Sequence, residues 1–279
     1  MISTQNLSKT YKDGVKALNS VTLNIDKKLV SFIGRNGAGK TTLLRILSTQ
    51  LKPSSGTASV AGFDIMKQPD KIRKKIVSIP QEASTLGVLT PIEHLKLYLI
   101  ARGFSVLQAN EEALKALREL EMYDARNKPS DTLSGGMKRK VFVAMALAAN
   151  ADITFLDEPT TGLDPVSRFE VWSAIKNLSG NIVLTTHYME EAQELAEEVV
   201  LVESGEILEK GSVKNLLHKF EGKVRVESLK PDSGDYQIGR TYVKYVKQED
   251  AEDYIRNGYN VRRITLDDLF VLRGVNLEP

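Results

Sequence analysis

The spacing of apolar residues changes three times along the chain. In residues 1 to 33 short apolar runs alternate with turn signals. Asp13-Gly14 is a turn dipeptide, Val21-Leu23-Ile25 repeats at period two, and Leu29 to Ile33 is an unbroken apolar run that predicts a buried strand. Leu43, Leu44 and Leu47 then fall at helical spacing between Thr41 and Leu51, and Lys52-Pro53-Ser54-Ser55-Gly56 ends the helix. From about Gln81 to Asn150 the pattern is helical. Thr90-Pro91-Ile92-Glu93 reads as a capping box, and Leu114, Leu117 and Leu120 form an apolar stripe.

Ile153 to Leu156 and Ile182 to Leu184 are short apolar runs of the kind found in buried parallel strands, with a helix from Ser167 to Leu178 between them. This order implies a parallel sheet covered on both faces. Past Gly211 the pattern becomes mixed. Val224 and Val226 alternate with charges, Tyr242 to Val246 is strand-like, Gln248 to Ile255 predicts a short helix, Thr265-Leu266-Asp267-Asp268 starts another, and Lys230 to Asp235 is a loop.

Composition narrows the function classes. The 279 residues are 42% hydrophobic and 27% charged, which is globular and excludes disorder and collagen. A formal charge of +2 gives no field that would draw a nucleic acid or a membrane surface. The absence of cysteine removes disulfides, thiolate nucleophiles and cysteine metal sites, and favours a cytosolic address. The apolar run Val141 to Ala149 falls far short of the roughly 20 residues a membrane helix needs, and the N-terminus lacks the apolar core of a signal peptide.

Three segments carry chemistry. Gly34-Arg35-Asn36-Gly37-Ala38-Gly39-Lys40-Thr41 fits G-x-x-x-x-G-K-[ST] between a predicted strand and a predicted helix. Its glycines let backbone N–H groups turn inward around phosphates at a helix N-terminus; Lys40 reaches the β- and γ-phosphates and the Thr41 hydroxyl takes a place on Mg²⁺. The apolar strand Ile153 to Leu156 ends in Asp157-Glu158, whose side chains point in opposite directions if Glu158 is still extended. Asp157 is then the Mg²⁺ partner and Glu158 the general base against the γ-phosphate. Ser134-Gly135-Gly136 caps a helix whose stripe is Val141, Phe142 and Met145. It is either a plain capped helix or a second anion site that lacks a lysine of its own.

These segments, with Ser78-Ile79-Pro80-Gln81-Glu82, Thr161-Gly162-Leu163-Asp164 and His187, stand in an order that resembles the nucleotide-binding domain of ABC ATPases over roughly residues 2 to 220. The resemblance implies an α/β fold: a P-loop NTPase core with a mixed sheet, an N-terminal antiparallel β subdomain, a helical signature subdomain at about 82–150, and a small C-terminal α+β appendage at 221–279. It further implies that ATP and Mg²⁺ are sandwiched between two such domains, in a homodimer or heterodimer, the signature Ser134, Gly135 and Gly136 of one facing the Walker A segment of the other, Gly34 to Thr42. Tyr11 matches the aromatic that stacks on adenine, Gln81 a ligand of Mg²⁺ and the attacking water, Asp164 an interface residue, and His187 a γ-phosphate contact. Met137 stands where the family most often has glutamine and Arg35 where it often has proline, its side chain expected in solvent. His94 and His218 match no motif position and are expected at the surface or in packing.

By the same resemblance the chain would energise separate transmembrane permease subunits from the cytoplasmic face. The tail from Gly258 to Arg273 is similar to that of drug- and polysaccharide-exporter ATPases, which points to export. The alternative is a soluble ABC ATPase of translation or DNA repair. Those generally carry tandem domains or long coiled-coil or zinc insertions, whereas here there is one Walker A segment and no zinc ligand set. The basic runs Arg73-Lys74-Lys75 and Lys138-Arg139-Lys140 would support it, but short charge runs are usually solvated helix faces, so no nucleic-acid partner is expected. A GTPase is disfavoured by the lack of an Asn-Lys-x-Asp motif.

Overall fold

The computed structural model describes residues 2–230 and 233–272. Pro231 and Asp232 of the expected loop and Arg273 of the expected tail lie outside them. β1 (Ile2–Thr10) and β2 (Lys16–Ile25) pair antiparallel across the Asp13-Gly14 turn, where Gly14 takes φ 87°. β3 (Leu29–Ile33) is buried along its whole length and feeds the glycine loop and α1 (Lys40–Leu47). That helix stops four residues before the expected Leu51. The N–H groups of Ser48 and Thr49 turn back onto the carbonyls of Leu44 and Ile46, and Thr49 is left-handed at φ 63°. β4 (Ser55–Val60), β5 (Phe63–Asp64), α2 (Pro69–Lys75) and β6 (Ile76–Ile79) follow.

The helical block contains α3 (Pro91–Ala101), α4 (Val106–Glu119) and α5 (Gly135–Ala149). The Thr90 capping box is present, with a second at Ser105 and Gln108. The buried face of α4 is Ala109, Ala113, Ala116 and Leu117, with Leu120 just beyond, while Leu114 of the expected stripe is only half-buried. The small alanines let α4 pack closely against α3 and α5, which also touch each other. Then come β7 (Ile153–Asp157), α6 (Pro165–Lys176), β8 (Asn181–Thr186), α7 (Met189–Leu195), β9 (Glu198–Glu203) and β10 (Glu206–Gly211).

The central sheet has the order β10-β9-β3-β8-β7-β6. It is parallel except for the β9–β10 hairpin, and so mixed. Strand alternation divides its faces. Val30, Phe32, Phe155, Val183, Val200 and Val202 pack with α1 and the antiparallel sheet β2-β1-β4-β5, while Leu156, Ile182 and Leu184 face the helical block. The glycine loop and the two acidic residues therefore lie at the same edge of the sheet, at the carboxyl ends of β3 and β7 with β8 between them, where parallel sheets place ligands.

α8 (Val213–Leu217) leads to a second antiparallel unit of β11 (Lys223–Ser228), β12 (Tyr236–Ile238), β13 (Thr241–Lys247), α9 (Ala251–Arg256), β14 (Asn260–Arg262) and α10 (Asp267–Val271), with strand order β12-β13-β11-β14. The expected helix from Gln248 opens with a 3₁₀ turn before α9. α10 folds back onto the central sheet: Leu266, Leu269 and Phe270 share one core with Ile33, Met189, Ala192, Val199 and Leu201. Asp268 fixes that return. It accepts hydrogen bonds from Arg225 at 3.1 Å, the Tyr245 hydroxyl at 2.8 Å and the Thr265 N–H at 2.7 Å. Burial and the neighbouring Asp268 keep the Tyr245 phenol far above its ordinary pKa, so it stays a donor.

Candidate active site

The glycine loop is held by close backbone approach. A Cβ on Gly34 would lie 2.1 Å from the Val202 carbonyl oxygen and one on Gly39 2.4 Å from that of Ala17, and Gly39 takes φ 104° as α1 begins. The buried Lys40 ammonium donates to the carbonyls of Gly34 at 2.6 Å and Arg35 at 3.0 Å, drawn across the loop it would share with phosphate. Burial lowers its pKa, and the nearby Glu158 and Asp157 carboxylates oppose that shift. Arg35 and Asn36 are exposed, as expected for Arg35. A cavity of about 430 Å³ is lined by Asn36 through Thr42, Tyr11, Val15, Ala17, Gln81 and Glu158. The Tyr11 hydroxyl is 3.2 Å from Thr42 Oγ1, which leaves the ring at the cavity mouth.

Asp157 faces Thr185 across the β7–β8 register. Its Oδ1 accepts from Thr185 Oγ1 at 2.5 Å and Thr41 Oγ1 at 3.0 Å, while its buried Oδ2 has no hydrogen-bond partner. An orphaned carboxylate oxygen beside a hydroxyl fits a magnesium ion. Among the described residues no three His, Cys, Asp or Glu side chains group to hold a metal, so the remaining positions would be phosphate and water, which suits magnesium. Gln81, expected on Mg²⁺, donates its amide to Glu158 Oε2 at 2.9 Å.

Glu158 is not extended. β7 ends at Asp157, and Glu158 takes the left-handed conformation at φ 48°, which costs a residue with a side chain about 1–2 kcal/mol. The two-face alternation expected of the acidic pair thus stops one residue early. The turn instead points the Glu158 carboxylate at three groups: Gln81 Nε2, Thr161 Oγ1 at 3.1 Å and His187 Nδ1 at 3.2 Å, all from Oε2. Its N–H is bound by the carbonyl and hydroxyl of Thr185, each at 3.1 Å.

Ser134, Gly135, Gly136 and Asp164 are not brought to this chain's own cavity. Ser134 caps α5 by accepting from the Met137 N–H at 3.1 Å, and Gly136 packs against Leu163 of the Thr161–Asp164 loop. Asp164 is exposed and caps α6; the Ser167 hydroxyl and N–H hold its carboxyl below the usual range. These four residues form a separate surface. His94 is buried and accepts from the Leu86 N–H, and His218 is exposed beside Glu221.

Sequence reasoning missed several residues. Thr161 and Thr185 bind the two carboxylates. The run Lys138-Arg139-Lys140, expected on a solvated face, is instead turned inward: Arg139 and Lys140 are buried, and Lys140 pairs with Glu170. Arg73-Lys74-Lys75 does lie at the surface, with Lys75 only half-buried. Glu191 is fully buried between Thr160 Oγ1 at 2.7 Å and Trp172 Nε1 at 3.0 Å, and burial pushes its carboxyl up. Of these, Thr161 opened the Thr161–Asp164 segment and Thr185 stood two positions before His187 at the end of a predicted strand, whereas nothing local marked Glu191.

The family model described as ABC transporter matches residues 18–161. The daunorubicin/doxorubicin resistance ATP-binding protein DrrA of Streptomyces peucetius is 38% identical over 219 residues, 77% of this chain and 66% of that protein. The human ATP-binding cassette sub-family A member 2 is 39% identical over 211 residues, 74% of this chain and 9% of that protein. The chain thus spans slightly less than two thirds of the first relative and a small part of the second. A dimeric ATP-binding cassette in a post-hydrolysis state, bound to ADP and Pi, superposes with a TM-score of 0.70 at 30% identity, covering 76% of this chain and 98% of that one. An ATP binding subunit of an ABC transporter gives 0.71 at 27%, covering 79% and 93%.

Proposed function

Because the chain belongs to the ABC transporter family, we propose that it binds and hydrolyses ATP as the energising subunit of an exporter, working as a dimer against separate transmembrane permease subunits. The observation that carries this reading is the convergence on Glu158 Oε2 of Gln81, Thr161 and His187, beside an Asp157 that accepts from Thr41. The ATPase is assigned residues 1–220 and the appendage 221–279. Export and a permease partner are supported by the likeness to drug-resistance ATP-binding proteins and to an ATP binding subunit of an ABC transporter. A permease partner would hold the chain at the cytoplasmic face of a membrane. Among the described residues no helix is long and apolar enough to cross one.

In the proposed reaction the loop from Gly34 to Thr42 and α1 cradle the phosphates, with Tyr11 against the adenine. Thr41 and Asp157 would hold magnesium, which when bound offsets negative charge on the phosphate oxygens. Gln81 and His187 orient water and γ-phosphate around Glu158. That carboxylate takes a proton as the water oxygen bonds to phosphorus and the bond to the ADP oxygen breaks, releasing inorganic phosphate. The exposed Ser134–Gly136 surface would complete the site of a second copy, because it lies outside its own chain's cavity.

Glu158→Gln tests the assignment. It should keep ATP binding, accumulate as an ATP-bound dimer on size exclusion, and lose turnover by roughly 10²–10⁴-fold. Wild-type turnover in this variant would remove Glu158 as the base. Specific activity of the wild type should also rise with protein concentration in the dilute regime.

A further inference from the structure

We propose that Arg139 is a positioning residue for hydrolysis, fixing the backbone turn that aims the Glu158 carboxylate and locking the Gln81 segment to the same support. The proposal rests on the reading of Glu158 as the base. Arg139 lies in the second turn of α5, after the Ser134-Gly135-Gly136 cap. It is 8% exposed. Its guanidinium is spent entirely on main-chain carbonyls: Nη1 donates to Gln81 at 2.8 Å, Nη2 to Glu158 at 2.5 Å and Asp157 at 3.2 Å, and Nε to Pro159 at 3.3 Å. A buried cation without such partners would be strongly disfavoured, so the four carbonyls and the guanidinium fix one another.

The contacts close a ring. Arg139 holds the carbonyls of Gln81 and Glu158, and the side chains of those two residues bond to each other at 2.9 Å. Glu158 needs such support because its left-handed backbone persists only where its surroundings over-determine it. Thr185 holds its N–H and Arg139 its C=O, so both backbone polar groups of that residue are engaged. Arg139 does not line the phosphate cavity and acts on it only through Gln81 and Glu158, so its effect belongs to the chemical step rather than to ATP affinity. A planar fork of five N–H donors spans carbonyls from two segments. An ammonium presents three donors from one point and cannot.

The test uses the full chain with Arg139→Lys, which keeps charge and most of the stem, and Arg139→Met, each alone and in the Glu158→Gln background. Folding is checked by circular dichroism and ATP affinity is measured without magnesium. Arg139→Lys should lower kcat by about 10–100-fold, the scale of a base displaced by about an ångström. KM and ATP affinity should stay within about threefold, because the binding contacts are retained. In the Glu158→Gln background, single-turnover hydrolysis should fall by less than about twofold further, since the positioned group is gone. A kcat within about twofold of wild type, or the same fold-loss with and without the Glu158 carboxylate, would overturn the proposal. Equal losses in kcat and ATP affinity would mark a purely structural role and overturn it too. Should Glu158→Gln itself turn over at the wild-type rate, the base assignment falls and this proposal with it. A dead Glu158→Gln beside an undiminished Arg139→Lys removes the proposal alone. If Arg139→Met does not fold, Arg139→Lys still decides.

Discussion

Truncating Phe270 to alanine separates two views of the C-terminal unit. Were residues 221–279 an independent appendage, damage there would leave the ATPase untouched. Phe270 is 1% exposed and shares one buried cluster with Ile33, one residue before the glycine loop, and with Met189 and Ala192 of the helix that follows His187. Removing its ring leaves a cavity on the ATPase side of the contact, and Phe→Ala changes in such cores cost about 3–5 kcal/mol. Against a total stability of about 5–15 kcal/mol that is a large fraction, and for a chain of this size it lowers Tm by roughly 10 °C. The chain provides its own reporter. Trp172, its single tryptophan, is 3% exposed in α6, in the core beneath the helical block, and lies outside the Phe270 cluster. Thermal and urea melts followed by Trp172 fluorescence and by far-ultraviolet circular dichroism should both move in Phe270→Ala. Ile255→Ala, at a 57% exposed position of α9, should stay within about 0.5 kcal/mol of wild type. A Trp172 transition that stays at its wild-type midpoint, while a separate minor transition falls, would refute the shared core.

Two further predictions address the site and its supports. If each site joins the P-loop of one copy to the Ser134 surface of another, Lys40→Met and Ser134→Arg should each abolish turnover alone. Mixing them should restore up to about a quarter of wild-type activity, because half the dimers then carry one intact site of two; no recovery on mixing, with dimers shown to form, would contradict the composite site. For Glu191, burial raises the folded pKa above its unfolded value. The native state therefore binds more protons in the window from about pH 4.5 upward, and this residue's contribution to stability falls as pH rises through that window. Glu191→Gln should flatten that fall in melts taken from pH 4.5 to 8, and an unchanged slope would count against it.

What the sequence disclosed and what it withheld divide along physical lines. Legible features were contiguous or set by a fixed offset. The glycines and lysine of the P-loop lie between a strand and a helix, Thr90 and Ser134 cap helices through residues three positions on, and Asp157 ends an apolar run. Each rests on local backbone geometry, which short-range patterns encode. Thr185 reaches Asp157 only because β7 and β8 pair in the register that sets the two opposite each other. α10 was legible only as a helix of a C-terminal appendage, because its few apolar residues carry no sign that they share a core with Ile33 and Val199, far back in the chain.

The sharper failures came where a sound local rule was carried one residue too far or applied to the wrong face. Alternation along β7 is correct to Asp157, but Glu158 leaves the strand in a left-handed turn that no short pattern announces. A basic triplet on a helix is usually solvated, yet Arg139 is buried by carbonyls that exist as acceptors only after that turn has formed. The two exceptions explain each other. The strained residue supplies a carbonyl that stabilises the buried cation, and the cation holds the strained residue in place. Local rules fail together at this point because the conformation that aims the carboxylate is stable only as a tertiary arrangement. A site whose violations are mutually compensating is therefore where mutation of one member should cost more than its own contacts suggest.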